Sequence, residues 1–275
     1  MLKNKMISPK FNLINRYCLI TGAAGLLGNE HAEALLEINA KIILTDINTK
    51  KLNLLKKRLI EKYSSATIEI LKMDVSSEKS IKKTVTSLKK KNISLYCLIN
   101  NAAIDSKISR NDKMSNSSSF EKTSINDWEK HISVGLTGAM LCAKNFGKMI
   151  VANKTGGVII NVASDLSVIA PNHKIYKKGV YKPVMYSVVK HGIIGLTKYI
   201  STYWHNKRLR CNAISPGPIK NNQSLKFINK LKSQIPLNRL ALKNDYRGAI
   251  QFLSSDASSY MTGQNLIIDG GRSVW

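Results

Sequence analysis

Near the start of the chain, Tyr17-Cys18-Leu19-Ile20-Thr21 runs directly into the glycine-rich turn Gly22-Ala23-Ala24-Gly25-Leu26-Leu27-Gly28. The apolar run predicts a buried strand, and the residues after the turn have helical periodicity to about Leu36. Small residues between a strand and a helix let the helix N-terminus approach a pyrophosphate, where backbone N–H groups and the helix dipole favour the anion. Glycine spacing alone also fits a turn without function, but the strand and helix around it favour a dinucleotide site.

The rest of the chain repeats this alternation of strand and helix. Residues 41–46 predict a second strand that ends in Asp46, where a carboxylate can accept hydrogen bonds from an adenosine ribose; a helix-capping aspartate is the alternative. Further strands are predicted at 67–72, 94–99, 157–163, 209–214 and 265–268, and the helices between them include one long helix at 126–152. This order predicts a single-domain α/β fold, a Rossmann-type doubly wound parallel sheet of about seven strands with helices on both faces.

No linker or internal repeat divides the chain, so residues 1–275 are predicted to form one dinucleotide-binding domain. Four segments stand outside the alternating pattern: an N-terminal extension at 1–15, a polar loop at 104–124, a basic insertion at 172–182 and a helical excursion at 221–242. We expect these segments to be additions to the domain rather than domains of their own.

The chain is strongly basic, since 43 Lys and Arg against 17 Asp and Glu give a formal net charge of +26. The lysines are spread along nearly every predicted helix rather than gathered in one segment, which argues against a specific nucleic-acid partner. No apolar run approaches the length that spans a membrane, and Met1 to Asn15 lacks the apolar stretch of a signal peptide. We therefore expect a cytoplasmic protein without a membrane partner.

The four cysteines, Cys18, Cys97, Cys142 and Cys211, are scattered without a C-x-x-C pair. Three of them fall in predicted strands, which indicates buried thiols in a reducing compartment rather than disulfides or zinc ligands. No metal site is predicted.

A tyrosine and a lysine four residues apart, Tyr186 and Lys190, would lie on one face of a predicted helix. An ammonium about 6 Å from a phenol, at an effective dielectric constant of about 20, would stabilise the phenolate by roughly 3 kcal/mol, or about two pKa units. This would bring the phenol towards the range of a general acid or base. Tyr203 and Lys207 have the same spacing but lie too far along the helix to share that site, so we expect Tyr203 to be a packing residue.

Seven motifs in a fixed order extend the pattern from about Phe11 to Gly271. They are Thr21-Gly22 to Gly28, Asp74-Val75, Asn100-Asn101-Ala102, Ser164 at a strand end, Tyr186 to Lys190, Asn212 with Pro216-Gly217, and Thr262-Gly263 with Asp269-Gly270-Gly271. In this order the chain resembles the short-chain dehydrogenase/reductase family. The stretches 163–171, 186–191 and 261–264 most resemble members associated with bacterial surface-polysaccharide and flagellin-glycan biosynthesis.

The resemblance implies an NAD(P)-dependent oxidoreductase that acts on CH–OH donors, with Ser164, Tyr186 and Lys190 as catalytic residues. Tyr186 would exchange a proton with the alcohol or ketone oxygen, Ser164 would hydrogen-bond that oxygen, and Lys190 would lower the tyrosine pKa and bind the nicotinamide ribose. The implied cofactor-binding residues are Gly22, Gly25, Leu27, Gly28, Asp46, Asp74, Val75, Asn101, Ala102, Tyr186, Lys190, Pro216, Gly217 and Ile219. A homodimer or homotetramer is also implied.

The cofactor is predicted to be NAD, because Asp46 would face the 2′-phosphate of NADP with like charge. No Lys or Arg lies within residues 22–28 to offset that repulsion. Lys50 and Lys51 are close enough in sequence to reach a phosphate, so NADP is not excluded.

The chain also departs from the family pattern. Leu26, Ala103 and Asn221 stand where many members have glycine, glycine and threonine. Gly135 stands where many members place a catalytic asparagine, and we expect the gap to be filled by water or a polar neighbour. Ser164 and Tyr186 are further apart than in typical members, so the insertion at 172–182 must lie beside the reacting centre.

The insertion carries Lys174, Lys177, Lys178 and Lys182 without any acid, which favours an anionic small-molecule substrate. A sugar, sugar phosphate or sugar nucleotide used in surface glycan biosynthesis would fit; a solvated loop with the general lysine bias is the alternative. Two other functions stay open. One is a 3-oxoacyl-carrier-protein reductase-like enzyme, whose acidic carrier would suit the basic surface. The other is a non-catalytic nucleotide-binding protein, which the glycine at 135 would fit.

Overall fold

The computed structural model describes residues 7–105, 119–153 and 155–275, within which seven strands form one parallel sheet. The strands are β1 (Tyr17–Thr21), β2 (Lys41–Asp46), β3 (Ile68–Lys72), β4 (Leu95–Asn100), β5 (Gly157–Val162), β6 (Leu209–Pro216) and β7 (Asn265–Ile268). Their order across the sheet is β3-β2-β1-β4-β5-β6-β7. The chain order reverses between β1 and β4, where sheets of this kind form a ligand crevice at the carboxyl ends of the strands. The predicted doubly wound α/β class is confirmed.

Helices cover both faces of this sheet. They are α1 (Leu26–Leu36), α2 (Thr49–Lys62), α3 (Glu78–Lys90), α4 (Ile125–Ile132), α5 (Gly138–Val151), α6 (Val184–Tyr203), α7 (Leu225–Lys232) and α8 (Arg247–Ser254). One apolar core packs α1, α2 and α8 against the sheet, and a second packs α3 and α5 against the other face. Because both faces are covered, β4 and β5 are buried at every residue and appear in the sequence as continuous apolar runs.

The single helix predicted at 126–152 is interrupted. One wide π turn, Ser133–Thr137, joins α4 to α5 and has Gly135 at its centre. Such a turn adds one residue to the helical repeat and is frequent at functional sites. Of the segments singled out from the sequence, residues 1–6 of the extension and 106–118 of the polar loop lie outside the described residues.

All four cysteines are buried free thiols, as the sequence predicted. Among the helices of the described ranges, none combines the length and the apolar character needed to cross a membrane.

Candidate active site

A cleft of about 850 Å³ opens at the carboxyl ends of β1, β4, β5 and β6. Fourteen of the residues predicted from the sequence line it together: Gly22, Gly25, Leu27, Asp46, Asp74, Val75, Asn101, Ala102, Ser164, Tyr186, Lys190, Pro216, Gly217 and Ile219. Gly28 is the exception, because it lies beneath the glycine-rich turn. A Cβ atom on Gly28 would come within 2.5 Å of the Gly22 carbonyl oxygen, so its role is close packing of α1 under the turn.

The glycine-rich turn brings bare backbone to the cleft. Gly22 has a φ of +61°, which favours glycine, and a Cβ atom there would come within 2.8 Å of the Cα atom of Ala102. Gly25 is the N-cap residue of α1, and no side chain of the described residues caps this helix. The first N–H groups of α1 are therefore available to an anion in the cleft, at the positive end of the helix dipole.

Thr21 and Asn101 fasten this turn to the end of β4. Thr21 Oγ1 accepts hydrogen bonds from the backbone N–H groups of Asn101 and Ala102, both at 3.0 Å. Asn101 Nδ2 donates to the carbonyl oxygens of Thr21 and Gly22, both also at 3.0 Å. Asn101 thus shapes the wall of the cleft, and its amide hydrogens are used on the turn rather than held free for a ribose.

Asp46 and Asp74 lie at the end of the cleft formed by β2 and β3. Asp46 Oδ2 accepts a hydrogen bond from the Ala24 N–H at 3.1 Å, so this carboxylate also braces the glycine-rich turn. Asp74 Oδ1 accepts from the Ser76 N–H at 2.9 Å and from its hydroxyl at 2.7 Å. A glycine-rich turn, an uncapped helix start and two carboxylates beyond it fit a nicotinamide adenine dinucleotide, with the pyrophosphate at the turn.

Ser164, Tyr186 and Lys190 meet at the other end of the cleft. Ser164 directly follows β5, and the tyrosine and lysine lie one turn apart near the start of α6. Lys190 Nζ donates a hydrogen bond to the Val162 carbonyl oxygen at 2.8 Å and lies 5.6 Å from the centroid of the Tyr186 ring. Tyr203 is 60% exposed on the same helix and does not line the cleft, so the choice of Tyr186 from the sequence agrees with the geometry.

A buried ion pair holds the serine. Asp165 Oδ2 and Arg272 Nη1 are 2.5 Å apart, and both side chains are almost fully buried. Asp165 Oδ1 accepts a hydrogen bond from Ser164 Oγ at 2.9 Å. Neither partner was predicted from the sequence; the available signals were that Asp165 follows the predicted serine and that Arg272 follows Gly270-Gly271.

Burial dominates the pKa shifts of Tyr186 and Lys190. It raises the pKa of Tyr186 above its ordinary value; the charge of Asp105 adds to the rise, and the neighbouring Ser164 hydroxyl opposes it. Burial also lowers the pKa of Lys190 to about 8. The expectation of a lowered tyrosine pKa is therefore wrong for the protein without ligand. Moving a phenolate out of water raises its free energy by more than the attraction of one nearby ammonium lowers it.

Lys182, at the end of the insertion, turns into the same cleft. Its Nζ lies 2.8 Å from Asp105 Oδ1 and 3.7 Å from the centroid of the Tyr186 ring. The sequence grouped Lys182 with the substrate-facing lysines and did not single out Asp105, which lies a few residues beyond the end of β4.

Gly135 does not leave the predicted polar gap. A Cβ atom on Gly135 would come within 2.6 Å of Val189 Cγ1, so the apolar side chain of Val189 on α6 already fills the space. The expectation of a water-filled gap is wrong because the next helix approaches too closely.

Two other lysines of the insertion, Lys177 and Lys178, line a smaller pocket of about 260 Å³. It is lined by Ile175, Tyr176, Lys177, Lys178, Lys226, Phe227 and Lys230. Ile175, Tyr176 and Phe227 also line the main cleft, so the two cavities share a wall. We call this cavity the side pocket; its lysines come from the insertion and from α7, two segments that the sequence did not connect.

Residues 22–273 match a protein family whose description is Enoyl-(Acyl carrier protein) reductase. An NAD-dependent glycerol dehydrogenase of Listeria innocua is 28% identical, with 98% of each chain aligned. The post-translational flagellin modification protein A of Campylobacter coli is 27% identical over 94% of this chain and 98% of its own. A crystal structure of a short-chain dehydrogenase from Leptospira borgpetersenii with bound NAD+ has a TM-score of 0.84 and 31% identity, covering 98% of both chains. Ser164, Tyr186 and Lys190 share one cleft with the glycine-rich turn, and the family match covers nearly the whole chain. The chain belongs to the short-chain dehydrogenase/reductase family, a family of NAD(P)-dependent oxidoreductases.

Proposed function

We propose that the protein interconverts an alcohol and a ketone through Ser164, Tyr186 and Lys190, with NAD(H) as its cofactor. The proposal rests on one observation: a single cleft is lined by the glycine-rich turn and its two carboxylates at one end and by a serine, a tyrosine and a lysine at the other. Bound NAD(H) supplies or accepts the hydride. Tyr186 donates a proton to the ketone oxygen, and because burial keeps its hydroxyl protonated at neutral pH, the acid is ready for reduction.

The groups around Tyr186 hold the substrate oxygen and the cofactor ribose in place for proton transfer. Ser164 donates its one hydroxyl hydrogen to Asp165 in this structure; when substrate binds, the hydroxyl turns to donate to the substrate oxygen, which replaces Asp165 as the acceptor. Lys190 is tied to the Val162 carbonyl oxygen, so its ammonium stays close to the tyrosine and keeps donor capacity for a ribose hydroxyl. The buried Arg272 pairs with Asp165 and holds its carboxylate in place.

We further propose that NAD(H) is preferred over NADP(H). The Asp46 carboxylate stands at the end of β2 in the cleft wall, where a 2′-phosphate would meet like charge. In Asp46→Asn the amide keeps an oxygen for the Ala24 N–H, so the turn should hold while the repulsion is lost. Fluorescence titration of both cofactors should show tighter NAD(H) binding by the wild type and a gain in NADP(H) affinity of about tenfold in Asp46→Asn. Tighter NADP(H) binding by the wild type would contradict the assignment.

The substrate we propose is an anionic sugar derivative, such as a sugar phosphate, sugar nucleotide or acidic sugar, used in glycan biosynthesis. Two cations of the cleft, Lys182 and Arg272, are paired with carboxylates. The side pocket shares a wall with the cleft and carries lysines from two segments, so a charged group there could belong to a substrate whose alcohol carbon lies at Tyr186. The similarity to the flagellin modification protein agrees with this substrate class.

The substrate class is tested by replacing the side-pocket lysines. With sugar phosphates and sugar nucleotides as probes, the triple change Lys178→Ser, Lys226→Ser and Lys230→Ser should raise KM about tenfold at low ionic strength and leave kcat largely unchanged. Added salt should reduce the effect. The matched control is Lys83→Ser, Lys89→Ser and Lys90→Ser, which removes the same charge from exposed positions on α3.

An equal change of KM in both triple variants would assign the effect to net charge alone. No change in either would remove the side pocket from the substrate site. In that case a 3-oxoacyl thioester on an acidic carrier protein is the next probe, since the formal charge of +26 suits such a carrier.

A homodimer or homotetramer in the cytoplasm is also proposed; the four buried free thiols agree with a reducing compartment.

A further inference from the structure

Lys182 has an unusual place for a lysine of a basic surface loop. Only 12% of its side chain is exposed, whereas Lys174 and Lys178 of the same insertion are exposed. Its Nζ makes an ion pair with Asp105 Oδ1 at 2.8 Å and lies over the Tyr186 ring, 3.7 Å from the centroid. A cation this close to the face of an aromatic ring is attracted by the ring quadrupole, more strongly where water is excluded.

The pair faces a small set of charges around the catalytic residues. The groups that act on Tyr186 are Tyr176 of the insertion, Asp105 beyond β4, and Ser164 and Asp165 beyond β5, with Lys182 and Lys190 against its ring. Lys130 of α4 also lines the cleft. Asp165 is balanced by Arg272. Beside burial, Lys182 and Asp105 are the two charges, one of each sign, that act on Lys190.

We infer that Lys182 and Asp105 form a positioning pair, which holds a second cation against Tyr186 and sets the charge balance under which Tyr186 and Lys190 hold their protons. The inference rests on the proposed function only in naming these two residues the catalytic pair. It assigns the end of the insertion to the catalytic centre, separate from the lysines around the side pocket.

The two members of the pair act on Lys190 in opposite directions. Burial is the main reason that the pKa of Lys190 lies near 8; Asp105 raises it, and Lys182 lowers it. Removing Lys182 leaves the carboxylate alone, so Lys190 should hold its proton to higher pH. Removing the charge of Asp105 leaves the second ammonium alone, so Lys190 should lose its proton at lower pH. A purely structural latch would not produce opposite shifts.

The experiment is an NMR titration of the whole protein labelled with ¹³Cε-lysine, without substrate or cofactor. The Lys190 signal is identified as the one that titrates near pH 8 and is missing in Lys190→Arg. Relative to the wild type, we expect its midpoint to rise by about 0.5 pH unit in Lys182→Met and to fall by about as much in Asp105→Asn. Lys182→Arg keeps the charge and should leave the midpoint in place.

A matched control comes from the Lys91–Glu69 ion pair, which has an N–O distance of 2.6 Å and no part in the cleft. Lys91→Met and Glu69→Gln should leave Lys190 unchanged. Midpoints that move in the same direction in Lys182→Met and Asp105→Asn, or stay within 0.2 pH unit of the wild type, would overturn the inference. Since the readout needs no turnover, this result is independent of whether the substrate is an anionic sugar. If Lys182→Met fails to fold, the half-exposed Asp105→Asn and Lys182→Arg carry the test.

Discussion

Tyr186 and Tyr203 lie on one helix with a lysine four residues after each, yet only Tyr186 lines the cleft. Tyr186→Phe removes the titrating proton and little volume, so kcat should fall about 10²–10⁴-fold while the dissociation constant of NAD(H) stays nearly unchanged. Steady-state kinetics and a fluorescence titration of the cofactor check the two parts. Tyr203→Phe is the control and should keep wild-type activity. Near-full activity in Tyr186→Phe would mean that another group moves the proton.

The candidate residues could be selected from the sequence, and they do share one cleft, but their ionisation could not be predicted. The spacing of Tyr186 and Lys190 placed an ammonium about 6 Å from the phenol, and the structure has it 5.6 Å from the ring centroid. The spacing carries no information about how much water is excluded around the ring. That loss of water, with Asp105 nearby, reverses the direction of the pKa shift.

At the scale of the element, the π turn at Gly135 packs closely against α6. In Gly135→Asn the new Cβ atom would meet Val189 Cγ1 at 2.6 Å, so the free energy of unfolding should drop by about 1–3 kcal/mol. Val189→Ala opens that space, and in this background the same asparagine should cost far less, giving a coupling of about 0.5–3 kcal/mol. Urea unfolding of the two single variants and the double variant measures both numbers.

Gly195 on α6 provides the control for this prediction. It is a helical glycine with no heavy atom of the described residues within 4 Å of an added Cβ. Gly195→Asn should therefore be neutral or slightly stabilising, because asparagine has the better helix propensity. If Gly135→Asn behaved like Gly195→Asn, Val189 would be able to move aside and the close packing of the two helices would be unimportant.

The strands and helices were predictable because a sheet covered on both faces leaves continuous apolar runs that are easy to recognise. β1 and β2 have the predicted bounds, and the glycine-rich turn lies between β1 and α1 as expected. The π turn was not predictable, since one extra residue hardly changes the periodicity of a 27-residue helical stretch. Lys182 could not be told from Lys174 or Lys178 either, because only the path of the insertion turns it inwards.

At the scale of the whole molecule, α1 connects the cofactor end of the cleft to the outer helices. Glu33 of α1 pairs with Arg247 of α8 at 2.8 Å and with Lys62 of α2 at 2.5 Å. Although burial opposes it, these cations lower the pKa of Glu33, so its contribution to stability is present above its unfolded pKa and is lost as pH falls through the folded value. In a chain with a formal charge of +26, each carboxylate that becomes protonated also adds to the repulsion.

A second group on α1, His31, makes the fold sensitive to acid at a higher pH. The side chain is fully buried, and burial lowers its pKa to about 3, although the neighbouring Asn101 side chain opposes the shift. Between its unfolded pKa of about 6.5 and that value, the unfolded chain binds a proton that the folded protein does not. The free energy of unfolding should therefore decrease with falling pH by about 1.4 kcal/mol per unit, or about 2 kcal/mol from pH 6.5 to 5. That window lies above the pKa of a carboxylate in an unfolded chain.

His31→Leu should remove this dependence, since an apolar side chain of similar size leaves no nitrogen to protonate. Urea unfolding at pH 5, 5.8 and 6.5, at constant ionic strength and protein concentration, should give a nearly flat free energy of unfolding for His31→Leu over that interval. The steeper loss below pH 4.5 should remain, because the carboxylates of the ion pairs on α1 are still present. His205→Leu changes an exposed histidine and should keep the wild-type slope. Equal slopes in the wild type and His31→Leu would mean that the buried imidazole reaches water or a partner when protonated, so that burial is not the cause of the acid sensitivity.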